Sequence, residues 1–181
     1  DMIQKGIGGK VVRFHVLANS DSEADQTLKL AVRDRVLQEY GDLLEACTSK
    51  EETLAALKNA QQEISETAEA EVLAQGYAYP VRVSLVREEF PFKKYGDLIF
   101  PAGVYDALRI EIGEAKGKNW WCVLYPQMCY VDAAWGYSTE ESHVRLQNTL
   151  TKEEFLVVSA MEQKKITPKI KCRLVELWSE R

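Results

Sequence analysis

Four cysteines and two histidines are the side chains of this 181-residue chain that could serve as nucleophiles or soft metal ligands. Cys122 and Cys129 have six residues between them, outside the two-to-four-residue gap of structural zinc sites, and only His15 and His143 could complete a site. No metal or other cofactor is expected. A Cys–His nucleophile pair would draw on Cys122 or Cys129 with His15 or His143. Trp120, Trp121, Val123 and Leu124 surround Cys122 with apolar bulk, which raises a thiol pKa and dulls its reactivity. Inert packing is the favoured expectation for these cysteines. In an oxidising compartment a third one opens, because a turn at Pro126 could bring Cys129 back to Cys122 as a disulfide. So short a loop would contribute about 2 kcal/mol.

Other catalytic patterns fail. The turn Gly113–Asn119 invites comparison with a phosphate loop, but its glycines are four apart and Asn119 replaces the metal-binding hydroxyl. A hairpin turn explains it better. There is no serine elbow, no aspartic-protease triplet and no zincin helix motif, and no spacing singles out a pair of acids. No catalytic residue is assigned.

Two polar groupings suit recognition instead. Asn19, Ser20 and Asp21 form a turn, followed by Lys29 and Arg33, which fall inside the apolar face of the next helix. Snorkelling stems or a partner such as Asp21 would account for these two; an organised polar site is the sharper expectation. The second grouping is Lys116, Lys118, Asn119, Trp120 and Trp121. Aromatics at Phe90, Phe92, Tyr95, Phe100, Tyr125, Tyr130, Trp135 and Tyr137 lie near lysines 93, 94, 116 and 118. Those not spent in the core would suit a protein-recognition patch.

The elements that must position these residues follow from periodicity. Residues 10–18 alternate as a strand, with Val12, Phe14 and Val16 toward the core and Arg13 and His15 away from it. Ser22 with Asp25 opens a helix to about Cys47, broken or kinked at Gly41; its apolar face is read as Leu30, Val36, Leu37, Tyr40, Leu43, Leu44 and Cys47. Ser49 with Glu52 opens a second helix ending before Gly76, whose acidic outer face is read as solvated. Alternating runs after Pro80, at 108–112 and at 120–125 predict a β-meander. Short helices are expected at 139–149 and 151–162, with a closing strand after Pro168. The expectation is one α+β domain over residues 10–181, with an antiparallel or mixed sheet of about five strands. Residues 1–9 are expected as a flexible remnant behind a removed export or anchor segment. A net charge of −5 argues against nucleic acid as a partner, and no apolar run reaches the ~20 residues of a transmembrane helix.

Two segments carry a resemblance. VRFHVLANSDSEADQTLKLAVRDRVL and LRIEIGEAKGKNWWCVLYPQMCYVD resemble characteristic stretches of the stage II sporulation protein R family, in order and within a likeness that covers nearly the whole chain. Ala115 departs from the pattern, standing where many relatives carry glycine. The resemblance implies a signal secreted from the forespore into the space between forespore and mother-cell membranes. There it would activate a membrane-embedded aspartic protease, stage II sporulation protein GA, which processes the sigma-E precursor. It implies an extracytoplasmic address, which favours the Cys122–Cys129 bridge. The expected receptor contacts are Arg13, His15, Asn19, Ser20, Asp21, Lys29 and Arg33, with Lys116, Lys118, Asn119, Trp120 and Trp121 as a second group. The rival is a cell-wall-binding module or hydrolytic enzyme in the same space. Exposed tryptophan without a polar site would favour sugar stacking, and a cleft joining His15, a carboxylate and Cys122 would favour catalysis.

Overall fold

A computed structural model describes residues 2–129 and 140–160. The expected closing strand, with Tyr130, Trp135 and Tyr137, lies outside the described residues.

Helix α1 (Met2–Lys10) leads into strand β1 (Val12–Leu17), and two long helices follow, α2 (Glu23–Glu45) and α3 (Lys50–Ala74). Then come β2 (Val81–Phe90), the short hairpin β3 (Lys93–Tyr95) and β4 (Leu98–Phe100), β5 (Gly103–Ile112) and β6 (Asn119–Tyr125). Helices α4 (Glu140–Thr149) and α5 (Lys152–Ala160) complete the described chain. This is an α+β fold with a mixed four-stranded sheet and a separate two-stranded one.

Both long helices begin at serine caps. Ser22 Oγ accepts the Asp25 N–H at 3.1 Å, and Ser49 Oγ accepts the Glu52 N–H at 3.1 Å. Glu52 reaches back one residue further than an ordinary capping box, accepting from the Thr48 N–H at 2.7 Å. Helix α2 continues through Gly41, which is buried, so the expected break does not occur. Its buried stripe is Leu28, Val32, Val36, Tyr40 and Leu44, a ladder at i, i+4. Leu30 and Leu43, expected on that face, point outward, because the stripe is set by Leu28 and Val32.

The expected meander is corrected by the strand order β2-β5-β1-β6. β1 lies between β5, to which it is parallel, and β6, to which it is antiparallel. The reason is burial: β1 is buried on both faces, as an interior strand must be, and only insertion between β5 and β6 provides that. The 113–118 connection therefore passes over the end of β1 instead of closing a hairpin.

Two cores result. On one face Val12, Phe14, Val16, Leu108, Ile110 and Leu124 pack against α2 and α3. On the other, Val11, Tyr105, Ala107 and Val123 pack with Ile7 of α1, Leu98 and Phe100 of β4, Leu146 of α4 and Val158 of α5. Residues 2–9, expected within a flexible lead-in, thus belong to a packed helix, Met2–Lys10, whose Ile7 is buried. Among the described residues no helix is long and apolar enough to cross a membrane.

Candidate functional site

Where β1 ends, the chain turns through Asn19, Ser20 and Asp21 into α2, and Asp25 organises that turn. Its carboxylate, 4% exposed, accepts from Ser20 Oγ at 2.5 Å and Asn19 Nδ2 at 2.8 Å. These two bonds, Ser20's above all, hold the Asp25 carboxyl below its usual pKa.

The 113–118 loop is bonded to the same turn. The N–H of Gly117 donates to the Ala18 carbonyl at 2.9 Å, and that of Lys116 to the Asn19 carbonyl at 3.3 Å. Asn19 Oδ1 accepts the Glu114 N–H at 2.9 Å, and Asp21 Oδ1 accepts the Lys118 N–H at 2.7 Å. A side chain at Gly117 would collide with the Ser20 carbonyl, so the close approach requires glycine. Lys29 ties the clasp to α2, donating to Gln26 Oε1 at 2.6 Å and the Lys118 carbonyl at 3.0 Å. Burial lowers its pKa. Asn19, Ser20 and Lys29 are thus occupied in building the surface. What that surface presents is Asp21, Lys116, Lys118 and an Arg33 guanidinium 4.8 Å above the Trp120 ring. Trp120 sets its edge against Phe14, with ring centroids 5.6 Å apart.

Arg13, His15 and Trp121 lie on the opposite face of the sheet, because each is one residue out of phase with Phe14 and Trp120. Arg13 has no exposed surface. It sits 5.0–5.7 Å from the ring centres of Phe90, Tyr95, Phe100 and Tyr105, and donates to the Tyr95 hydroxyl at 2.8 Å. Such a cage is a desolvated cation–π site filled by the protein's own arginine. His15 is 3% exposed and stacks on Trp121 at 4.9 Å. Its Nε2 lies 2.8 Å from Glu88 but off the hydrogen-bonding direction. Burial first, then Arg109 and Arg13, lowers its pKa to about 4. Arg13 and His15, expected among the receptor contacts, are therefore buried between the sheet and the second layer.

This geometry bears on the catalytic alternatives. Cys122 and Cys129 form a disulfide with their Cα atoms 5.5 Å apart, so neither is a free thiol. Cys122 joins the helix-side core, across the sheet from His15. The Trp121 ring is already stacked on His15, with Lys93 Nζ 4.9 Å from its centre. Among the described residues no group of three or more His, Cys, Asp or Glu side chains could hold a metal. The Arg13 cage and the pairing of Glu88 with Arg109 at 2.9 Å escaped the sequence. The one signal was alternation after Pro80 and at residues 108–112, which gives facing but not register.

Comparison with known proteins follows the same residues. Positions 8–135, containing both the clasp and the disulfide, match the family model described as stage II sporulation protein R. The stage II sporulation protein R of Bacillus subtilis (strain 168) is 32% identical over 184 aligned residues, covering 96% of this chain and 82% of that protein. No solved structure matches. The clasp and the disulfide thus fall within a match of family length, and the chain belongs to the stage II sporulation protein R family.

Proposed function

We propose that this chain is an extracytoplasmic sporulation signal that activates the membrane-embedded aspartic protease, stage II sporulation protein GA, for processing of the sigma-E precursor. The observation that carries the recognition surface is the clasp between residues 19–21 and 113–118. It spends its buried polar groups on itself and leaves Arg33 on Trp120, with Lys116, Lys118 and Asp21, as a rigid outward face. A preorganised face of this kind, an aromatic and an arginine ringed by charges, suits a protein partner. The disulfide suits an oxidising space outside the cytoplasm. Activation then requires only that this face bind the protease's active state, for instance a dimer, better than its resting one.

The test is co-expression of the exported chain with the protease and the sigma precursor in a non-sporulating host. Precursor cleavage should depend on the chain. Arg33→Ala, Trp120→Ala and Lys118→Glu should each weaken it about tenfold while the protein stays folded. Equal cleavage with and without the chain would overturn the assignment.

A further inference from the structure

Strand β2 ends the four-stranded sheet, with β5 on one side and, among the described residues, no strand on the other. Its backbone phase is fixed at two points. The Gly113 N–H donates to the Pro80 carbonyl at 2.8 Å, extending the ladder one residue beyond the Val81–Ile112 pair. That ladder keeps one register as far as Phe90 and Gly103, so the even-numbered residues of β2 turn their backbone groups to β5. The odd-numbered ones turn theirs outward, and the Gln61 side chain of α3 accordingly donates to the Val83 carbonyl at 2.9 Å. Val81, Leu85, Arg87 and Glu89 thus offer outward N–H and C=O groups along an edge without proline. The opposite edge of the sheet differs, since the Met128 N–H occupies the Val123 carbonyl of β6 at 3.0 Å.

What such an edge accepts depends on its side chains. An antiparallel neighbour must set outward-facing residues against one another, so a second β2 can meet this one only about an axis through a residue. An axis through Leu85 places Arg82 opposite Glu88 of the second copy, and by symmetry Glu88 opposite that copy's Arg82. Leu85, half-buried, then meets Leu85, and Ser84 meets Val86. Moving the axis to Ser84 or Val86 sets Arg82 against Val86 or Phe90 and loses both charge pairs. Arg82 is 61% exposed, and its contact with Glu111 is long at 3.5 Å. Glu88 is 28% exposed, and its carboxylate, which accepts from Arg109 at 2.9 Å, has lone pairs for a second guanidinium. Odd-numbered residues face odd-numbered ones in this register, so both helix layers lie on one side and the two sheets join into one.

We propose that β2 is a homodimer interface, to which a second copy of this chain adds its own β2, antiparallel, about a twofold axis at Leu85. The interface is isologous, each copy giving the same edge and receiving the same edge. The clasp lies at the end of the sheet where β2 begins, since Val81 pairs with Ile112. The dimer therefore carries its two clasps at opposite ends of the joined sheet. Dimerisation is read from mass and strand register, so it stands or falls apart from precursor cleavage.

The test is sedimentation velocity of the full chain over a concentration series, with folding of each variant followed by circular dichroism. The wild type should pass from monomer to dimer as concentration rises. Arg82→Glu, which sets two carboxylates against each other at both ends, should weaken association about tenfold. Leu85→Pro removes an N–H that points away from β5, so it should abolish the dimer and leave the ladder with β5 intact. Register is tested separately by oxidation of single-cysteine variants in a chain with Cys47 and Cys172 replaced by serine. Leu85→Cys sits on the axis, with its Cα about 5.5 Å from its copy, and should form a disulfide-linked dimer. Val83→Cys, opposite Arg87 of the second copy, should not. A wild type that stays monomeric at every concentration would overturn the proposal, leaving the edge to residues 161–181 or to another protein. A dimer in which Val83→Cys links as readily as Leu85→Cys would overturn it too.

Discussion

At the scale of single residues, alternation along β1 tells which way Arg13 and His15 turn but not what they meet there. The sequence places them opposite Val12, Phe14 and Val16, and in the structure they are. The direction taken for a surface is the inside of a second layer, because the residues that cover them come from β2, β3, β4 and β5, distant in sequence and invisible to a periodicity argument. That burial has a measurable consequence. His15 titrates near 6.5 in the unfolded chain and near 4 in the folded one, so between these values the unfolded state binds more protons. Stability from this group is therefore full above about pH 6.5 and falls as the pH drops toward 4. By pH 5 the loss amounts to about 2 kcal/mol relative to pH 7. Urea unfolding of wild type and His15→Gln at both pH values checks this. The wild type should lose about 2 kcal/mol more than the variant, and equal losses would mean that His15 is solvated.

At the scale of elements, the helices with caps were legible and the one without was not. Ser22 and Ser49 announce α2 and α3 within a residue of their observed starts. Helix α1, MIQKGIGGK, has three glycines in nine residues, each costing about 1 kcal/mol against alanine in a helix. What holds it is tertiary: Ile7 is buried, and Gly8 lies so close to the Val104 carbonyl of β5 that a Cβ would collide with it. Adjacent glycines should therefore answer the same substitution with opposite signs. Gly8→Ala should destabilise by about 1–3 kcal/mol through overpacking. Gly9→Ala, with open space around it, should stabilise by up to about 1 kcal/mol. Thermal unfolding of the two variants distinguishes them, and the same sign for both would place α1 elsewhere. The 113–118 loop offers a second case. Ala115 has φ of +53°, a left-handed conformation that costs a non-glycine residue about 1 kcal/mol. Ala115→Gly should raise stability by about 0.5–1 kcal/mol, the strain relief exceeding the added freedom of the unfolded chain.

At the scale of the whole molecule, the two cores share one strand, and this decides whether the layers can come apart. The sequence called for a sheet with helices but placed β6 beside β5, since neighbours in sequence usually pair. It could not show that β1 is buried on both sides, because Arg13 and His15 look like solvent-facing residues. With β1 central, the helix-side core of Val12, Phe14 and Val16 and the opposite core around Val11 and Arg13 rest on the same backbone. Opening either face exposes residues whose neighbours one position away support the other. The layers should therefore unfold together, as expected of a single cooperative unit. Trp120 and Trp121 are placed to report it: consecutive in β6, one packs with the helix-side core and the other with the opposite layer. Replacing the other three tryptophans by phenylalanine leaves Trp120 or Trp121 as the sole emitter. Urea titrations of the two proteins, each referred to its own stability by circular dichroism, should give fluorescence midpoints that coincide with the loss of helix. An earlier midpoint for Trp121 alone would mean that α1, α4, α5 and the β3–β4 hairpin detach first, leaving Arg13 and His15 free to face solvent after all.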